Sequence, residues 1–171
     1  KNTSLCAFVQ KVYKFCEEMT KKGHTVYHYG HKDSKVLCTE HITVTDDEVL
    51  KKSYKDLNSW KTEGFNQNVE TEAVKTFNKN CIKELNKRLK SKNEFILCWF
   101  GYAHQPCVKY FHDKAVIIEP SIGYDSMFAD VKIFETYAQL HKLHGAAKLN
   151  IQFNKAFVVP PGFKKEDFEF K

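Results

Sequence analysis

Arginine is almost missing from this chain. Of 27 basic residues, Arg88 is the only one. Proteins that read phosphates or base edges favour arginine for its two-pronged guanidinium, so a lysine excess spread along the chain reads as a solvated surface rather than a nucleic-acid face. The net charge of +6 therefore names no partner. No run approaches the roughly 20 apolar residues of a membrane-spanning helix, and no signal peptide opens the sequence. There is no G-x-G-x-x-G, no P-loop and no G-x-S-x-G, which removes three common phosphate-binding and nucleophile signatures. There is no D-x-D, and none of the six cysteines forms a C-x-x-C pair. With several thiols inside apolar runs, such as Cys16 and Cys98, free cysteines and a cytoplasmic location are expected.

What remains is a patterned α/β chain of 171 residues, enough for one domain with a real core. Leu5, Phe8, Val9, Val12, Phe15, Cys16 and Met19 form a helical stripe, capped by Ser4 and ended by Gly23. "HTVYHYG" and "CTEHITVT" read as strands. A short helix should follow, with Thr45 as its N-cap and Glu48 completing a capping box. Val69, Ala73, Phe77, Cys81, Leu85 and Leu89 predict a long helix from Val69 to Lys90. "EFILCWFG" and "KAVIIEP" read as strands buried on both faces, the second stopped by Pro120. A short helix is expected from Pro106 to His112. "VKIFETYAQLHKLHG" reads as one helix and "KAFVVPPG" as a last strand.

Helices and strands alternating with short connections imply a mostly parallel sheet with helices on both faces. Such doubly wound domains open with a central strand, whereas this chain opens with a helix. The first strand is therefore expected to precede Lys1. Ligands bind off the carboxyl ends of the strands, which directs attention to the loops after Tyr29, Phe100, Pro120 and Val159.

Three stretches at those edges carry chemistry. Gly101 permits close backbone approach, and His104 can act as a base or hydrogen-bond a hydroxyl. Glu119, expected at a strand end, must be solvated, paired or engaged with a ligand. Gly123 lets the chain turn near a ligand, and Tyr124 offers an aromatic face and a hydroxyl. Glu135 is expected either to pair with Lys132 or to point into the same site. Asp46 and Asp47 open a helix, where carboxylates favour the dipole. Among His24, His28, His31, Cys38 and His41, Cys38 and His41 have ligand-like spacing, but His24 and His28 lack the helical i, i+4 geometry of a zinc site and no C-x-x-C anchors the rest, so they read as polar strand-end groups.

In order along the chain, "HTVYHYGHKDS", "CTEHITVT", "FNKNCIKEL", "FGYAHQP", "EPSIGYDSMFADVKIFETYAQLHKLHG" and "VVPPGFKKEDFEF" resemble the N-terminal half of family-4-like glycosyltransferases of viral, phage and bacterial origin. The resemblance implies half of a GT-B fold: a Rossmann-like domain over residues 1–158, with 159–171 leading toward a separate donor-binding domain. It implies a hexosyltransferase that uses a nucleotide-sugar as substrate and a sugar or glycoconjugate as acceptor, with no cofactor and no metal. His104 and Glu119 would be catalytic, and Gly101, Tyr102, Ser121, Gly123, Tyr124, Lys132 and Glu135 would bind substrate. Because the donor-side residues of that family have no counterpart here, residues 1–171 alone are expected not to transfer sugar. The alternative is a non-catalytic carbohydrate- or protein-binding module of the same fold.

Overall fold

A computed structural model describes residues 6–54, 68–125, 127–147 and 155–162. Along the chain run α1 (Ala7–Lys21), β1 (Tyr27–His31), β2 (Glu40–Thr45), α2 (Asp47–Lys51) and α3 (Glu72–Arg88). Then follow β3 (Phe95–Leu97), a 3-10 turn (Gly101–His104), α4 (Gln105–Val108), β4 (Val116–Ile122), β5 (Val131–Phe134), α5 (Tyr137–Ala147) and β6 (Ala156–Val158). Every strand pairing is parallel. The strands form two pieces, β1-β2 and β3-β4-β5-β6. The fold is α/β, as the alternating pattern implies. Among the described residues, no helix is long and apolar enough to cross a membrane.

One core unites the two pieces. Ile42 and Val44 of β2, Cys81 and Leu85 of α3, Cys98 after β3, Cys107 and Val108 of α4, Phe111 after α4, and Ile117 of β4 pack together. Phe111 and Ile117 lose all solvent contact, and each such burial contributes roughly 2–3 kcal/mol. A second cluster joins Ile122, Phe134, Leu140 and Leu143 under α5. Arg88, at the end of α3, bridges Glu84 at 2.5 Å and Glu40 of β2 at 2.6 Å. It thus ties helix to sheet. All six cysteines are free, and Cys16, Cys81, Cys98 and Cys107 are buried.

Several boundaries differ from the sequence expectation. The cap of α2 is Asp46, whose Oδ1 accepts from the Val49 N–H at 3.0 Å, one residue later than Thr45. The long helix starts after Thr71, whose hydroxyl accepts from the Val74 N–H, and ends at Arg88. The expected Pro106–His112 helix shrinks to the single turn of α4, which ends at Val108, and a 3-10 turn over Gly101–His104 leads into it. "VKIF" is a strand, not a helix start. Its β-branched Val131 lies opposite Ile118 of β4 and Ile133 opposite Phe157 of β6, and the helix begins after Thr136, whose Oγ1 accepts from the Gln139 N–H at 3.1 Å. The Ser4 cap and residues 163–171 of the expected linker lie outside the described residues.

Pro120 does not stop β4. The strand continues to Ile122, but its register against β5 shifts between Glu119 and Ile122. The bulge absorbs the missing proline N–H and places Ser121 at φ +57°, the one left-handed residue other than glycine among those described.

Candidate functional site

The carboxyl ends of β3 and β4 converge on one assembly. The crossover from β4 to β5, residues 123–130, contains no helix. Its backbone donors therefore need partners from elsewhere. Glu119 supplies them. Its side chain is fully buried. One carboxylate oxygen accepts from the Phe128 N–H at 2.8 Å and the Ala129 N–H at 2.9 Å. The other accepts from the Tyr124 hydroxyl at 3.0 Å. Sequence reasoning placed Glu119 at the end of its strand, solvated, paired or engaged with a ligand, and the resemblance made it catalytic. It instead lies inside β4 with both oxygens occupied, so it holds the loop and does not touch a ligand directly.

Tyr124 carries that order outward. Burial first, then the Glu119 carboxylate, holds its phenol well above the ordinary range, so it stays a donor. Its ring lies against Gly101, where an added Cβ would sit 2.9 Å from both Cε2 and Cζ. Gly101 is thus needed twice, for its positive φ and for this contact. Phe8 of α1 approaches Tyr124 and Phe100 with ring centroids 6.4 and 5.9 Å away. Gly101, Glu119 and Tyr124 are therefore brought together. Gly101→Ala should cost about 2–4 kcal/mol, from a left-handed alanine plus overpacking. Gly123→Ala should be near neutral, because nothing lies within 4 Å of that added Cβ. Urea midpoints of the two variants check both statements.

His104 is not a surface base. Its ring stacks on Phe77 at 5.4 Å and meets Phe100 edge-on at 5.8 Å. Burial pushes the imidazole down to about 4, so it is neutral at pH 7. Nor does it cap α4, which has no side-chain cap. Buried Asn78 anchors the same turn by donating to the Ala103 and Val74 carbonyls, both at 2.9 Å. Sequence periodicity hid Asn78 within an apolar helix face.

The remaining expected residues lie around this assembly. Tyr102 and Gly123 are exposed, and Ser121 is half-buried on the bulge. Lys132 neighbours Glu119 across the β4–β5 pairing and donates to the Ala129 carbonyl at 2.5 Å. Glu135 does not pair with Lys132. It pairs with Lys11 of α1, clamping that helix to the end of β5.

Two histidine groups lie toward β2. His41 Nε2 donates to the His31 carbonyl at 3.0 Å, which leaves its Nδ1 bare to accept from His28 Nδ1 at 2.9 Å. Burial, then His41, lowers His28 to about 4. His31, Asp33 and Asp47 are the metal-type donors that come within reach of one another among the described residues. They are already engaged. His31 Nδ1 accepts from the Asp33 N–H at 3.2 Å, its Nε2 faces Asp47 at 3.1 Å, and Lys32 holds the other Asp47 oxygen at 3.4 Å. The group pins α2 to the end of β1.

No family model matches this chain, and no curated protein or solved structure matches it.

Proposed function

We propose that the chain is the acceptor-binding domain of a GT-B glycosyltransferase that moves a hexose from a nucleotide-sugar to a sugar or glycoconjugate. The observation that carries this reading is the braced edge at β3 and β4. A buried carboxylate, a phenol and a glycine in contact hold a strained bulge and an exposed aromatic where parallel sheets bind ligands. The ordered sequence resemblance points to the same reaction. Tyr102 would stack on a sugar face, and Ser121 and the backbone at Gly123 would meet its hydroxyls. Lys132 and Glu135 would flank it. Glu119, Tyr124, Gly101 and His104 act as positioning residues behind that surface.

In the transfer, the bond from the sugar's anomeric carbon to the diphosphate oxygen breaks and the nucleoside diphosphate leaves with the electron pair. The acceptor oxygen forms the new bond and gives up its proton to the departing diphosphate. A second domain would grip the donor and stabilise the leaving group. The setting would be cytoplasmic, with no nucleic acid, cofactor or metal required. The test is nucleoside diphosphate release by the full-length gene product across a panel of nucleotide-sugars and carbohydrate acceptors. Acceptor-dependent release supports the reading. Carbohydrate binding without release from any donor would instead favour a non-catalytic module.

A further inference from the structure

Between α3 and α4 lies a cavity of about 300 Å³, at the small end of the volumes that hold ligands. Lys75, Asn78, Lys79 and Ile82 form its α3 wall. They recur at i, i+3, i+4 and i+7, so they share one face of the helix. Pro106 of α4, with Lys109 and Tyr110 just after it, forms the facing wall.

Three ammonium groups meet there, from two elements. Lys75 and Lys79 have the i, i+4 spacing at which like charges weaken a helix. Lys109 joins them from beyond α4, its Nζ 5.1 Å from the centroid of the Tyr110 ring. Neither Lys79 nor Lys109 meets a carboxylate among the described residues. Lys75 pairs with Glu70 at 2.8 Å, but both side chains are more than half exposed, and such a pair is worth little and readily exchanged. Further along α3, by contrast, Lys87 and Arg88 are both held by Glu84.

The same wall carries a second deficit. Asn78 is 4% exposed. Both protons of its amide are used, on the Val74 and Ala103 carbonyls. Turning the amide over would set its oxygen against those two carbonyl oxygens, so its orientation is fixed. Its Oδ1 is left as a buried acceptor with no donor. Buried acceptors are rarely left bare, and one in a cavity wall marks a place for a donor from outside the fold.

Converging lysines without acids call for an anion of more than one charge. The bare Oδ1 beside them calls for an O–H or N–H. Ile82, Pro106 and the Tyr110 ring offer apolar surface to C–H groups. We propose that the cavity between α3 and α4 binds a phosphate monoester of a small polyol, such as a sugar phosphate. The phosphate carries a charge of about −1.5 to −2 and three acceptor oxygens, which Lys75, Lys79 and Lys109 take up. A hydroxyl of the polyol donates to Asn78 Oδ1, and its C–H face lies on Pro106 and Tyr110. None of the residues proposed to touch the acceptor sugar lines this cavity, and the proposal is independent of the sugar-transfer reading. The two places meet only through Asn78, whose amide also holds Ala103 in the turn that carries Tyr102.

Titration calorimetry on the full-length gene product tests it, with glucose-6-phosphate, inorganic phosphate and glucose as separate ligands. Glucose-6-phosphate should bind about tenfold or more tightly than either of the others, because neither supplies both the dianion and the polyol. The double variant Lys79→Gln, Lys109→Gln should weaken that binding about tenfold with Tm unchanged, since both side chains are exposed. The Asn78 side-chain amide signals should move in a nitrogen–proton correlation spectrum. Phosphatidylinositol-4-phosphate vesicles form a second arm. Binding to them that the double variant loses supports the site with a lipid headgroup as its source, and binding of the soluble ester alone supports a free ligand. Equal affinity for inorganic phosphate overturns the proposal, because charge alone then explains the binding. So does a double variant that binds as the wild type does, an Asn78 signal that stays still, or no binding in either arm.

Discussion

Glu119→Ala should destabilise the protein by about 4 kcal/mol, enough to remove most of the stability of a marginal domain. The substitution strands the Phe128 and Ala129 N–H groups and the Tyr124 hydroxyl inside the structure. Each lost partner costs about 1–3 kcal/mol, and relief from burying a carboxylate offsets part of the sum. Glu119→Gln should be much milder, at about 1–2 kcal/mol. Its carbonyl can keep the two backbone donors while its NH₂ turns to Tyr124, whose hydroxyl accepts as readily as it donates. Urea unfolding of both variants checks the pair. A glutamine as damaging as alanine would show that the negative charge, rather than the donor pattern, is what the loop requires.

The second large effect is acid sensitivity. His28 and His104 sit near 4 when folded, against an ordinary 6.5. Both states are neutral above pH 6.5, so no stability is lost there. Between 6.5 and 4 the unfolded chain takes up protons that the folded chain refuses, and stability falls with pH. The slope is about 1.4 kcal/mol per pH unit for each histidine. His104, sandwiched between Phe77 and Phe100, should account for about 3 kcal/mol by pH 4. His28 is less enclosed, and solvent screening reduces its share to roughly half of that. The lowered carboxylates Asp47 and Glu84 act only once pH falls toward their ordinary values of 3.8 and 4.5. Unfolding midpoints between pH 7 and 5 therefore isolate the histidines. A Tm that falls steeply over this range, and less steeply in His104→Gln, is the expected result. A flat profile would contradict the burial of both rings.

Much of this architecture was legible because hydrophobic periods survive the loss of context. The apolar stripe of α1, the alternation of β2 and the run at β4 each stand out in sequence. The failures come from residues whose local preference was outvoted. Pro120 reads as a strand end, but the bulge removes the need for its N–H. "VKIF" carries helical spacing into "ETYAQL", yet β4 offers Val131 a parallel partner and β6 offers one to Ile133, and the start signal at Thr136 and Gln139 is visible only once the helix is known to begin there. "EFILCWFG" reads as buried on both faces because its composition is that of an interior strand, although Phe95 is exposed.

At the site, residue types were legible and their roles were not. Gly101, Glu119 and Tyr124 converge as their placement at sheet edges suggests. Whether a carboxylate faces a ligand or a backbone depends on the crossover after β4, and nothing in the local sequence says that this crossover lacks a helix. His104 illustrates the same limit. Its aromatic neighbours Phe77 and Phe100 come from different elements, so its enclosure is a tertiary fact.

The central claim is that the surface resting on Glu119 and Tyr124 receives the acceptor. Tyr102 is the direct probe, being half-exposed on the 3-10 turn and outside the core. In the full-length gene product, under the proposed sugar transfer, Tyr102→Ala should raise the acceptor KM about tenfold, the equivalent of 1.4 kcal/mol of lost stacking, with Tm and donor KM unchanged. An acceptor KM that stays at the wild-type value would contradict the account.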